Sequence, residues 1–460
     1  MVPWAQWGAL GLGTLAFTVS LLPRRHDGEE SQPGGMVLSP WSRLRQFPLF
    51  WLGLALGALV VLQGLNPSWR WMSDGKMWWM RQVDSVAWLP TSTDTAFATF
   101  NLWRQAMIYA AAWLTVCALW AGLTRRRSLQ ILFGLLVGNG IILAIEGYLQ
   151  LVAGTGKLLW LRAFPGTASF GSFVYRNHGG AYLGLMVFAS FALMLWQYYE
   201  ARRRLAKSSP AALWALAAIL LIVAVVFTLS RGAIILVTIF GLGAMGSLAV
   251  LRSTSPLPST VPKLVTVSLV LVVLGCVGFL LHYADFSSVR HRFEELWQQG
   301  AQEASYRARV EVRDCAERML RDHWLRGTGA GSFRFLFPLY IKDNPYLYEG
   351  GQAFWQHAHI DWLEIPIELG LTGVLLVAGA LGWCGSFWWR HRGWRHPVGI
   401  MILLGLLQTM GHALIDFPFQ NTAVLITWWS LLVLMLRWLE FEGVADGAPA
   451  LPPGLPRRRI

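Results

Sequence analysis

The sequence predicts an all-α polytopic membrane protein of about 11 (10–12) transmembrane helices with one large, mostly helical periplasmic domain. Three observations lead there. Apolar residues make up 55% of the 460-residue chain and charged residues only 14%, too little charge to cover a soluble protein of that size. The apolar residues fall in runs of roughly 18–22, long enough as helix to cross about 30 Å of hydrocarbon. Basic residues cluster in alternate connections between these runs, as they do in cytoplasmic loops. The 26 Trp suit interfacial belts, where the ring is buried and the N–H stays wet.

The first run, 4–22, has no basic residue before it and no small-x-small cleavage site, so it reads as a retained span and not a signal peptide. Further spans are expected at 48–65, 102–123, 129–152, 179–198, 211–229, 232–251, 264–282, 367–389, 397–414 and 421–437. Over half of the 38 Lys and Arg follow odd-numbered spans. Arg24, Arg25, Arg43 and Arg45 follow the first, Arg125–Arg127 the third, and Arg202–Arg204 with Lys207 the fifth. Arg252 and Lys263 follow the seventh, Arg390, Arg392 and Arg395 the ninth, and Arg437 with Arg457–Arg459 the last. This pattern puts the amino terminus outside and the carboxyl terminus inside.

Residues 1–282 are thus expected to hold membrane helices one to eight, with a cytoplasmic loop 23–47 and a Trp-rich periplasmic loop 66–101. Residues 283–366 form the periplasmic domain and 367–442 hold helices nine to eleven. The Gly-, Pro- and Arg-rich segment 443–460 reads as a disordered basic cytoplasmic tail, and 27–40 as disordered too. The net charge of +13 raises nucleic acid as a partner, but its placement between apolar runs assigns it to loops, so the bilayer and no nucleic acid is expected. Cys117, Cys276, Cys315 and Cys384 show no metal or disulfide spacing, and three lie within apolar runs as small buried hydrophobes.

The 283–366 region opens with an amphipathic helical pattern in which Phe293, Leu296, Val310, Ala316 and Leu320 recur at three- and four-residue steps. It ends at Gly327, and a glycine-rich turn, Gly327–Gly331, leads into Ser332-Phe-Arg-Phe. Its arginines (Arg307, Arg309, Arg313, Arg318, Arg321, Arg326) read mostly as solvated surface, with one or two free to point into a cavity.

Five separated segments place polar residues at the outer boundary, while the span centres hold almost no charge apart from Glu146. The first is His357-Ala-His359-Ile-Asp361-Trp-Leu-Glu364, followed by Glu368, Gly370 and Gly373. Three readings of its histidines are open: interfacial residues bonded to backbone, a general base beside a carboxylate, or a zinc site. The His-x-His spacing lacks the i, i+4 separation of a helical zinc motif. The second is Ser230-Arg231-Gly232, where the arginine either snorkels to lipid phosphate or grips a substrate phosphate in bidentate fashion. The third is the arginine-bearing helix. The others are Tyr175-Arg176-Asn177-His178-Gly179-Gly180 and Gly411-His412-Ala-Leu-Ile-Asp416-Phe-Pro-Phe419, which read as helix caps or interfacial hydrogen bonds when taken singly.

Taken in order, these motifs resemble the O-antigen ligase and O-antigen polymerase superfamily. The matching features are Gly171-Ser-Phe-x-Tyr-Arg-Asn-His178, Leu229-Ser-Arg-Gly232, and an arginine-bearing helix ending Asp322-His-x-x-x-Gly-x-Gly-x-Gly-Ser-Phe333. They continue with His359-x10-Gly370-x-x-Gly373 and His412 to Asp416-Phe-Pro. The resemblance covers about Gly122 to Trp438. At one position it departs from the ligases: the residue after the histidine, often Asn, Ser or Gln there, is Ile360.

The resemblance implies a glycosyltransferase of the bacterial inner membrane. It would move a glycan from an undecaprenyl-diphosphate carrier to an acceptor hydroxyl on the periplasmic face, without metal or cofactor and with inversion. The acceptor would be lipid A core or a growing polysaccharide. His359 would be the general base, and Arg231 and Arg309 would hold the diphosphate. Arg176, Asn177, His178, Arg307, His357, Asp361, His412 and Asp416 would bind substrate. Amides of Gly327–Gly331 are candidate extra donors to the diphosphate, a plain turn being the alternative. The rival class is a transporter of lipid-linked glycans, which calls for charged or broken helices at the bilayer midplane and for internal repeats. Neither is evident in this sequence.

Overall fold

The computed structural model describes residues 3–22, 39–96, 101–154, 157–160, 162–163, 169–254, 304–344, 347 and 355–445. The expected span 264–282, the start of the 283–366 region and most of the 443–460 tail lie outside the described residues. Among the described residues the fold is mostly helical (74%). Its helices are α1 (Pro3–Leu21), α2 (Pro40–Arg45), α3 (Pro48–Leu65), α4 (Leu102–Gly122), α5 (Arg126–Ala153), α6 (Arg176–Arg203), α7 (Ala211–Phe227) and α8 (Arg231–Thr254). After 303 come α9 (Ala304–His323), α10 (Phe333–Leu336), α11 (Asp361–Arg390), α12 (Pro397–His412) and α13 (Thr422–Ala445).

Among the described residues, seven helices are long and apolar enough to cross a membrane: α3, α4, α5, α6, α8, α11 and α13. Helices α7 and α12 are apolar but shorter, and α1 occupies the first expected span without joining the seven.

Helix α6 is the centre of the bundle, packed by α7, α8, α12 and α5. Small residues let its neighbours approach closely. A Cβ on Gly180 would lie 2.6 Å from Ala233 Cβ, and one on Gly184 would lie 2.8 Å from Gln408 Oε1. At the far end of α13, Arg437 is buried instead of lying in a basic loop. Its guanidinium donates to Leu123 O (3.2 Å from Nε), pairs with Glu440 and stacks on Trp120 and Phe441.

The region between α3 and α4 departs from the all-helical expectation. It forms β1 (Pro67–Ser73), β2 (Trp78–Gln82) and β3 (Ser92–Asp94) in the order β2-β1-β3, with an antiparallel β1–β2 hairpin and a parallel β3. The physical reason is local. Asp74 Oδ1 accepts from the amides of Lys76 and Met77 (2.9 and 2.8 Å) and Gly75 takes φ +86. This makes a tight turn between strands of Trp, which favours pleated structure.

Helix α9 buries Val312, Cys315, Ala316 and Met319, a regular i, i+3, i+4, i+7 stripe, against Phe333, Leu336, Phe337 and Ile367. Trp69 and Met80 of the sheet pack on this second core. Val310, expected on the apolar face, is 40% exposed because it lies off that stripe.

The glycine-rich turn after α9 is interlocked with α11. Thr328 N donates to Ile367 O and Gly329 N to Glu368 O, each at 2.9 Å, and Leu371 N donates to Leu325 O (3.3 Å). The two backbones approach so closely that a Cβ on Gly327 would lie 2.4 Å from Glu368 O. Gly370, at φ +65 and ψ −173, breaks α11 at the same place. Thr91 and Thr93 hydroxyls bond Gly327 O (2.6 Å) and Thr328 O (3.1 Å), which ties the sheet to this junction.

Candidate functional site

Five chain segments meet around Asp416, which is 2% exposed. It lies in the turn after α12, where its amide donates to His412 O (2.9 Å). The start of α11 holds that turn. Asp361 N donates to Ala413 O (3.1 Å) and Asp416 O (3.3 Å), and Phe419 N donates to Asp361 Oδ2 (2.9 Å). Asp361 is therefore a buried clamp on the loop.

Asp416 Oδ2 accepts from the Tyr175 hydroxyl (3.1 Å) and from Asn177 Nδ2. Its Oδ1 accepts from Phe417 N (2.9 Å) and faces His359 Nδ1 at 3.6 Å. Asn177 Nδ2 and Arg309 Nη2 both donate to the Tyr175 oxygen, at 2.7 and 3.4 Å. Burial alone raises the Asp416 carboxyl, but His359, His412 and Arg309 outweigh it and hold the group below the usual carboxylate range. Burial and the neighbouring Asp416 push the Tyr175 phenol up.

His359 takes φ +56, a left-handed conformation that costs a non-glycine residue about 1–2 kcal/mol. The preceding residues are clamped to stabilise it. Glu364, 1% exposed, accepts from Ala358 N through Oε2 (2.8 Å) and contacts His357 Nδ1 through Oε1 (2.7 Å). Arg334 Nη2 lies 3.4 Å from His357 Nε2. Arginine can only donate, so Nε2 accepts and Nδ1–H donates to Glu364. Burial and Arg334 pull His357 down to about 3, so this is a neutral imidazole.

Phe417 stacks on His357 (4.5 Å, 23°) and meets His359 edge-on (4.7 Å, 86°). The two histidines therefore serve different partners. His357, holding Arg334 and Glu364, is unsuited to the zinc reading of the His-x-His spacing.

The amides of the glycine turn are engaged internally. Glu368 accepts from Gly331 N (2.9 Å) and Phe333 N (3.1 Å), while Gly327, Thr328 and Gly329 amides bond backbone carbonyls. The plain-turn reading of Gly327–Gly331 accounts for these donors.

The structure brings His359, Asp416, Asn177 and Arg309 together, with His412 beside them. His178 is buried and bonds Phe417 O (3.1 Å) and Asn421 Nδ2 (3.4 Å), which fixes the same loop. Arg176 is the first residue of α6, next to Tyr175. Arg231 is half-buried at the start of α8, and the next residue, Gly232, lies against His412, where a Cβ would be 3.2 Å from Nε2. Arg307 is exposed and 3.8 Å from Glu311. Arg313 is likewise exposed, with Glu317 at 3.1 Å. Arg326 staples the sheet region through Leu89 O, Ser85 Oγ and Val86 O (2.9–3.1 Å).

Sequence reasoning assigned no role to Tyr175, Arg334, Glu364 or Glu368. The available signal was Glu364 and Glu368, four apart at the start of an apolar helix, where buried carboxylates need partners.

One comparison covers Arg231, Arg309 and His359, but not Tyr175, Asn177, His412 or Asp416. Residues 216–378 match the family model described as O-antigen ligase. A search of curated proteins gives no match. Over residues 216–378, about a third of the chain, the protein is similar to the O-antigen ligase family.

Proposed function

We propose that the protein is a membrane glycosyltransferase that moves a glycan from an undecaprenyl-diphosphate carrier to an acceptor hydroxyl at the periplasmic face of the inner membrane. The observation that carries this reading is the pairing of His359 with Asp416 beside Arg309 (Nδ1 to Oδ1, 3.6 Å). A carboxylate facing Nδ1 favours the tautomer with its lone pair on Nε2, the atom that would take the acceptor proton. The acceptor oxygen would then attack the anomeric carbon as its bond to the diphosphate oxygen breaks, with inversion. Charge would accumulate on the departing diphosphate, where Arg309 and Arg231 would stabilise it. Diphosphate is already a good leaving group, so cationic stabilisation and positioning suffice.

A second reading, a repeat-unit polymerase, is favoured by Ile360. It caps α11 without a side-chain hydrogen bond, where ligases often carry Asn, Ser or Gln. The purified protein should be incubated with undecaprenyl-diphosphate glycan, with and without lipid A core. Capped core supports the ligase, and chain growth without core supports the polymerase. His359→Ala and Arg231→Ala should each abolish transfer while leaving expression intact. Transfer by purified His359→Ala overturns the proposal.

A further inference from the structure

The Tyr175 hydroxyl lies where the two halves of this site meet. It donates to Asp416 Oδ2 (3.1 Å) and accepts from Arg309 Nη2 (3.4 Å) and Asn177 Nδ2 (2.7 Å). The other oxygen of Asp416 faces His359. The ring is fixed from two sides, stacked on Phe417 (5.3 Å, 10°) and edge-on to His178 (5.0 Å, 83°). A phenylalanine would satisfy that packing equally well, so packing does not explain the oxygen. Even a partly buried hydroxyl costs free energy unless it is bonded, and all three bonds made here go to groups of the site.

We infer that Tyr175 is a positioning residue for glycan transfer: its hydroxyl sets the Asp416 carboxylate so that one oxygen faces His359, and ties Arg309 to that same carboxylate. This rests on the function proposed above. The phenol links the group that would take the acceptor proton to a cation that would meet the leaving diphosphate. Neither Arg309 nor Asp416 needs to move for both to act on one substrate.

The inference has a pH signature. A donated hydrogen bond draws charge from Asp416. Without it, more of that charge acts on His359 and favours the imidazolium, which cannot act as a base. The acid limb of turnover should therefore move to higher pH when the hydroxyl is removed. The charged and titratable groups around Asp416 come from every packed element. They are His357 and His359 from the 355–360 segment, Asp361 from α11, His412 from α12, His178 from α6 and Arg309 from α9. Tyr175→Phe changes none of them.

The test measures release of undecaprenyl diphosphate from an undecaprenyl-diphosphate-linked oligosaccharide, as a function of pH, for wild type, Tyr175→Phe and His359→Ala. Turnover of Tyr175→Phe should fall about 10- to 100-fold near neutral pH, as for loss of a hydrogen bond to a charged group. Its acid limb should shift upward, with the thermal midpoint little changed. The position of a pH limb does not depend on the amount of folded enzyme, so a poor yield of the variant leaves the result decisive. A wild-type limb in Tyr175→Phe, with His359→Ala inactive, overturns the role of Tyr175 alone. Transfer surviving in His359→Ala overturns the functional reading on which it rests.

Discussion

Replacing Gly327 by alanine tests the interlock that sets the start of α11, and with it the position of His359. Two costs add. Gly327 has φ +72, where a Cβ costs about 1–2 kcal/mol. The new methyl would also lie 2.4 Å from Glu368 O and 2.8 Å from Gly370 N, both backbone atoms that no rotamer change can move. Relief requires the 325–329 and 367–371 segments to part, which weakens the bonds from Thr328 N, Gly329 N and Leu371 N. At about 1 kcal/mol each, the total approaches about 4–5 kcal/mol.

Gly75→Ala supplies the control. That glycine has φ +86 but nothing within 4 Å of the new Cβ, so it should cost only the conformational part, about 1–2 kcal/mol. Thermal unfolding in detergent, followed by tryptophan fluorescence at one scan rate, should give Gly327→Ala a drop in midpoint at least twice that of Gly75→Ala. Equal shifts in the two variants would refute the interlock argument.

Two further expectations concern opposite ends of the bundle. His357 is held at about 3 in the folded protein, against about 6.5 unfolded. The unfolded chain therefore binds the extra proton, and this stability is fully present above pH about 6.5 and is lost as pH falls toward about 3. The loss reaches about 4 kcal/mol over that window, so His357→Gln should flatten the decline of the thermal midpoint between pH 6.5 and 4; an unchanged slope would contradict it. Arg437 lies about 22 Å along α13 from Thr422, at 1.5 Å per residue. Arg437→Lys loses the planar fork that bonds Leu123 O and stacks on Trp120. It should cost about 1–3 kcal/mol yet leave turnover per folded molecule unchanged, and a fall in that turnover would show that the two ends are coupled.

The sequence by itself determined the elements that depend on local pattern. Apolar run length specified α3 to α8 and α11 to α13, because crossing hydrocarbon needs a certain length of helix and little charge. The glycines at 327, 329, 331 and 370 were visible as punctuation, and His359, Arg231 and Asp416 stood out as ionisable groups at the boundary of apolar segments, whereas Arg309 was singled out only by the family resemblance. The Trp-rich hairpin after α3 was legible in Asp74-Gly75 between aromatic runs, but composition drew attention to the membrane instead.

Only the tertiary structure decided which boundary residues share a site. Helical spacing put Arg309 and Arg313 on one face, yet Arg309 reaches Tyr175, and Arg313 stays exposed beside Glu317. Asp361 and His178, which the resemblance offers as substrate contacts, also bond the Asp416–Phe419 loop. Tyr175 read as part of a helix cap, and its hydroxyl joins Arg309 to Asp416, 241 residues further along the chain. Chain periodicity encodes which face of a helix is apolar. It does not encode which polar atoms from segments hundreds of residues apart come within 3 Å, because that depends on the packing of α6 against its neighbours.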